Sequence, residues 1–118
     1  MTYITPARGI RKSSAIITAA APATPENLYL LSVAGTVTRS VILRKIWAWS
    51  AVGASITQIG QGLGIGFAAI IPPFLVLNGV ENIWDENDIP EVEIVANLTV
   101  QSVLAGIMIM VEVEEIGN

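Results

Sequence analysis

A chain of 118 residues holds one domain with a real core, but at that size about a third of the surface the unfolded chain exposes stays outside it. With 53% hydrophobic and only 14% charged residues, too few polar side chains remain to cover that surface, so part of it must meet another subunit or a lipid bilayer. Cysteine and histidine are both absent, which excludes disulfides, Ser-His-Asp and Cys-His catalysis and the commonest metal ligands, and leaves carboxylates, Lys, Tyr and Ser for any chemistry.

The net charge of −4 hides an asymmetry. All six basic residues (Arg8, Arg11, Lys12, Arg39, Arg44 and Lys45) precede residue 46, and nine of the ten acids follow residue 80, with Glu26 the exception. Residues 46–80 carry no charge at all. Such a split is satisfied by pairing within the chain, by complementary charge between neighbouring subunits, or by a basic arm facing a polyanion.

In chain order, residues 1–14 are polar and basic with Pro6 and Gly9, and read as an extended arm ahead of one domain over residues 15–118. Residues 15–20 form a first strand, Pro22 and Pro25 set a turn, and residues 28–33 form a second apolar run that Gly35 ends. Residues 36–50 are long and β-rich. Their odd positions run Val37, Arg39, Val41, Leu43, Lys45, Trp47 and Trp49, while the even side starts polar and then gains Ile42 and Ile46. Either both faces are partly covered or a bulge shifts the phase. Residues 54–59 and 65–71 flank a glycine-rich turn, and residues 74–77 follow Pro72-Pro73 and stop at the turn signal Asn78-Gly79.

Residues 91–101 show the clearest alternation, with Val92, Ile94, Ala96, Leu98 and Val100 on one face and mostly polar residues on the other. The last segment places Val103, Ala105, Ile107, Ile109, Val111 and Val113 on one face. Its other face runs Leu104, Gly106, Met108 and Met110, then Glu112 and Glu114, as in a strand leaving a subunit contact for solvent. No stretch has a helical period with caps. About eight short strands spaced near ten residues predict an all-β antiparallel β-sandwich, a single jelly roll with an extended N-terminal arm.

The uncharged stretch is long enough to cross a bilayer, but five glycines between residues 53 and 66 and Pro72-Pro73 within the most apolar part argue against a transmembrane helix. Residues 15–21 are short and Ala-rich for a secretory signal and read as mature sequence. The run Gly60-Gln61-Gly62-Leu63-Gly64-Ile65-Gly66 has neither phosphate-loop spacing nor a following Lys, and reads as a hairpin tip or a strand face that another backbone approaches. Asp85, Glu86, Asn87 and Asp88 offer oxygens for Ca²⁺ without the Gly and Glu of an EF-hand, and otherwise form a solvated turn. Glu112 and Glu114 share a face without any sign of a cleft. No cofactor, metal or catalytic set is expected.

The stretches 41–49, 59–66, 67–77 ending in Asn78-Gly79, and Ile89-Pro90-Glu91 leading into alternating strands resemble, as a pattern over about two-thirds of the chain, the small single-jelly-roll coat and decoration proteins of tailed phages and archaeal viruses. That resemblance implies a structural subunit of a virion, a homo-oligomer, trimer or lattice, with an arm reaching a neighbour or another capsid protein. The residues themselves point the same way. Tyr3, Ile4, Arg8, Arg11 and Lys12 suit an arm that clamps a neighbour, with nucleic-acid contact the less favoured use of its charges. Trp47 and Trp49 on one strand face, and Met108 and Met110 on another, suit a subunit contact. Two other readings remain: a β-sandwich carbohydrate-binding module using Trp84 and the acidic turn, and a subunit of an extracellular filament or shell.

Overall fold

The structure, a computed structural model, describes residues 10–20, 22–31 and 39–117. In chain order these residues form the strands β1 (Ile10–Ser13), β2 (Ile17–Thr18), β3 (Glu26–Tyr29), β4 (Arg39–Trp49), β5 (Ser55–Gln61), β6 (Ala68–Ala69), β7 (Phe74–Val76), β8 (Asn82–Trp84), β9 (Glu93–Ile94), β10 (Leu98–Ser102) and β11 (Met108–Gly117).

The longest pairing joins β4 to β11, from Met108 against Trp49 to Gly117 against Arg39. Both strands are dense in Val, Ile and other side chains that suit a pleated, half-buried surface. Around them the first sheet has the order β1-β11-β4-β8, with β2 continuing beside β11 and β9 beside β4. The second sheet has the order β3-β10-β5-β6, with β7 also beside β5. When the interrupted strands β1/β2, β6/β7 and β8/β9 each count once, eight positions result. Their order is 1-8-3-6 in one sheet and 2-7-4-5 in the other, which is the predicted jelly roll. One interruption is plain in the sequence: Pro72-Pro73, which cannot donate to a ladder, separates β6 from β7.

Inward residues of both sheets meet in one cluster that includes Val41, Ile46, Ile59, Val76, Leu98, Val100, Ile109, Val111 and Val113. Leu28 and Tyr29 from β3 and Ile89 from the connection between β8 and β9 join it.

A bulge resolves the ambiguous phase of residues 36–50. Glu112 pairs with Lys45 but Val113 pairs with Leu43, which leaves Arg44 as the extra residue of β4. Before it Val41 and Leu43 face the core, and after it Ile46 and Ala48 do. Arg44 and Lys45 both fall between inward residues and lie on the outer side.

Two expected strands are divided differently. Residues 91–101 are not one strand: β9 lies in the first sheet and β10 in the second, so the chain changes sheets at residues 95–97. The alternation keeps its phase through that bend, because Ile94 and Leu98 both still face the core. The last strand begins at Met108, and residues 103–106 form the turn before it. Residues 10–13, counted with the arm by composition, are the strand β1, bonded along β11 from Ile10 against Glu115 to Ser13 against Glu112.

The glycine-rich segment makes the close backbone approach expected of it. A Cβ on Gly60 would lie 2.2 Å from the Ala68 carbonyl oxygen, and Gly62 has φ +83 where the chain enters a short 3-10 turn over Gly64–Gly66. Gly60→Ala is therefore expected to push β6 off β5 and to destabilise the fold by about 1–3 kcal/mol, the usual range for overpacking. A urea unfolding curve indistinguishable from the parent would show that this approach is not tight. The Asn78-Gly79 turn is closed by Asn82. Its Nδ2 donates to the carbonyls of Leu77, Val80 and Ala48 at 3.0–3.3 Å, and its Oδ1 accepts the Leu77 amide at 3.1 Å.

Candidate assembly face

In β11 the fully buried Ile109, Val111 and Val113 point to the core, so Met108, Met110, Glu112 and Glu114 take the opposite face. In β4 beyond the bulge, Ile46 and Ala48 point to the core, so Lys45, Trp47 and Trp49 take the outer face. The register then sets Met108 against Trp49, Met110 against Trp47 and Glu112 against Lys45. On the flanks Ile83 of β8 stands across from Trp47, and Thr18 of β2 across from Met108. Trp47, Trp49, Met108 and Met110 are half-buried and Ile83 is exposed. Met and Trp opposite one another across adjacent strands offer a polarisable apolar surface.

Toward the other end of the same strands the face becomes ionic. Arg44 donates to Glu114 Oε1 from Nη2 at 2.9 Å and from Nε at 3.1 Å, and reaches Glu91 Oε1 at 3.5 Å. Arg44 and Glu114 are both buried. Arg11 bonds Glu86 and lies 3.4 Å from Glu112. The hydrogen bond to Glu86 holds the Arg11 guanidinium above its ordinary pKa against the opposing effect of desolvation, and the charges of Glu86, Glu112 and Glu114 each add a lesser upward push. On the core side, Tyr29 of β3 donates its hydroxyl to Glu115 at 2.5 Å and Lys12 approaches the same carboxylate at 3.7 Å, so this group ties the two sheets together.

Among the described residues the split of charge along the sequence is answered in part within the chain: Arg11 and Lys12 of β1 and Arg44 of β4 lie against acids of β11 and of the connection between β8 and β9. Lys45 is different. It forms no ion pair among the described residues, and its register partner Glu112 has turned to Arg11.

Of the expected contact residues, the structure brings together Trp47, Trp49, Met108 and Met110. Arg11 and Lys12 belong to β1 rather than to a free arm and pair with Glu86, Glu112 and Glu115. Tyr3, Ile4 and Arg8 lie outside the described residues. Glu114, expected at a solvated strand end, is instead buried against Arg44. Ile83 was not singled out by sequence, since three residues of β8 show no period; Lys45 shares the alternation of Trp47 and Trp49, but its place against Glu112 is visible only in the fold.

Trp84 faces inward, its ring 4.7 Å from that of Phe74 at 57°, and fills the side of the core. Beside it a cleft of about 220 Å³ is bounded by Ile71, Pro72, Pro73, Asp88 and Pro90. In the acidic turn, Asp88 accepts the Asp85 amide at 3.1 Å and Asp85 accepts the Asn87 amide at 2.9 Å. Among the described residues no group of three or more His, Cys, Asp or Glu side chains is placed to hold a metal ion. No helix among them is long and apolar enough to cross a membrane.

Strand order and packing define a jelly-roll β-sandwich, a class that includes coat subunits, lectins and other binding domains. No protein-family model matches the sequence, and no curated protein matches it. Among solved structures, similarity is found to a chain of the Bacillus endospore appendages, described as a novel family of disulfide-linked pili. Identity is 12%, the TM-score is 0.49, and 98% of this chain and 95% of that one are covered.

Proposed function

We propose that this protein is a self-assembling structural subunit that works by associating with its own copies and not by catalysis. The observation that carries this reading is the outer face of β4 and β11, where two Trp and two Met residues stand in register on adjacent strands. Such a face is what a low-charge chain of this size would pack against a neighbour. The segment before β1, with Tyr3, Ile4 and Arg8, serves in this reading as an arm clamping the adjacent subunit.

The reading is tested by light scattering coupled to size exclusion on the full chain, on Trp47→Asp and on a chain lacking residues 1–9. The full chain is expected to form a defined oligomer or particle. Trp47→Asp is expected to weaken association by at least about thirtyfold, the effect of losing a hot spot worth about 2 kcal/mol. Loss of residues 1–9 is expected to loosen the assembly. A full chain that stays monomeric at high concentration overturns the reading.

The narrower setting is a virion coat or decoration subunit. It is supported by the jelly-roll order, which viral coat domains share, together with the pattern resemblance noted above. An extracellular filament or shell is the alternative, and electron micrographs of the assembled protein distinguish closed particles from fibres.

The cleft beside Trp84 favours a second reading, a carbohydrate-binding module. That one predicts a change in Trp fluorescence on adding sugars or Ca²⁺, and an unchanged signal removes it.

A further inference from the structure

We infer that the outer face of β4 and β11 pairs with the same face of a second copy about a two-fold axis that runs parallel to these strands and between them. This rests on the assembly reading above and adds its geometry. In that arrangement β4 of one copy lies over β11 of the other, without reversal of strand direction. Trp49 then meets the partner copy's Met108, Trp47 meets its Met110, and Lys45 meets its Glu112. Each of these contacts occurs twice.

The charges select this axis. A two-fold axis across the strands at Trp47 would set Lys45 on Trp49 and Glu112 on Met108, so four charged groups would be desolvated against apolar surface, which is costly. The parallel axis gives each of them an opposite charge. It supplies a carboxylate to Lys45, which has no ion pair among the described residues, at the border between the apolar and ionic halves of the face. It also keeps the strands of the stacked sheets nearly aligned, the arrangement in which twisted sheets pack face to face. The open part of the face is small: four strand positions about 4.8 Å apart, over about five residues at about 3.3 Å each, offer on the order of 300 Å² per copy, the size of a weak pair.

Lys45→Glu and Glu112→Lys, made separately in the full chain, provide the test. Each variant alone sets like charges together twice across the axis and is expected to associate at least about tenfold more weakly than the parent. Mixed in equal amounts, the two variants are expected to recover association as mixed pairs seen by native mass spectrometry, because every Glu then meets a Lys of the other chain. Pairing within one chain cannot produce that recovery. Circular dichroism checks that both variants fold. Because the parent has no cysteine, Lys45→Cys mixed with Glu112→Cys gives an independent reading: a disulfide between the two chains is expected in the mixture and not in either variant alone. Parent association that survives both charge changes, or variants that weaken without rescue on mixing, overturns the two-fold geometry while leaving self-assembly intact. A monomeric parent overturns self-assembly itself.

Discussion

Arg44→Met is expected to destabilise the fold by about 3–5 kcal/mol, whereas Arg44→Met combined with Glu114→Leu is expected to lie within about 1 kcal/mol of the parent or above it. The magnitudes follow from burial. An exposed ion pair contributes about 0–1 kcal/mol, and the Arg11–Glu86 pair, with its side chains 43% and 50% exposed, belongs there. Arg44 and Glu114 have side chains only 10% and 5% exposed, so removing the guanidinium takes two charge-assisted hydrogen bonds from a carboxylate that water scarcely reaches. Replacing both by apolar groups removes the desolvation along with the attraction. Chemical unfolding of the four proteins in a double-mutant cycle gives the coupling, measured at matched concentration because association adds to apparent stability. A single-variant loss below about 1 kcal/mol would place this pair with the solvated ones.

Ile109→Ala is expected to lower stability by about 2–5 kcal/mol and the melting temperature by on the order of 10 °C. Ile109 is fully buried on β11, which is hydrogen-bonded on both sides, to β2 and to β4. Neighbours fixed in two ladders relax little into the space it leaves, so the cavity remains, and its volume adds to the lost transfer energy. Ile83→Ala, two strands away on β8 and exposed, is expected to change monomer stability by only about 0.5 kcal/mol. A scanning calorimetry trace that shifts equally for both variants would contradict this placement of the core.

The architecture was legible because it depends on local signals: period-two alternation, turn residues and the absence of a helical period. The shared face of Trp47 and Trp49, and that of Met108 and Met110, follow from the same period. Pairing was not legible. That Met110 neighbours Trp47 depends on register between strands far apart in sequence, and only the fold fixes it. The bulge at Arg44 leaves a broken alternation in the sequence, but two half-covered faces leave the same trace, and only the partner strand distinguishes them. The change of sheet at residues 95–97 leaves no trace, because the phase of Val92 to Val100 is unbroken through it. Glu114 and Glu115 carry the composition of a solvated strand end. Their burial follows from Arg44 on β4 and from Tyr29 on the other sheet, both distant in sequence.

The antiparallel pairing of β1 with β11 also bears on how the subunit carries load. Ile10 lies against Glu115, so the chain segments before β1 and after β11 leave from the same end of that ladder. Tension applied through both segments would peel the two strands apart one residue pair at a time, the weak direction for a ladder whose bonds lie across the strands. Tension passed between copies through the faces of β4 and β11 would instead act in shear on a broad contact, with every side chain loaded together. In an assembly of the proposed kind, the chain would resist load better across its sheets than at its ends.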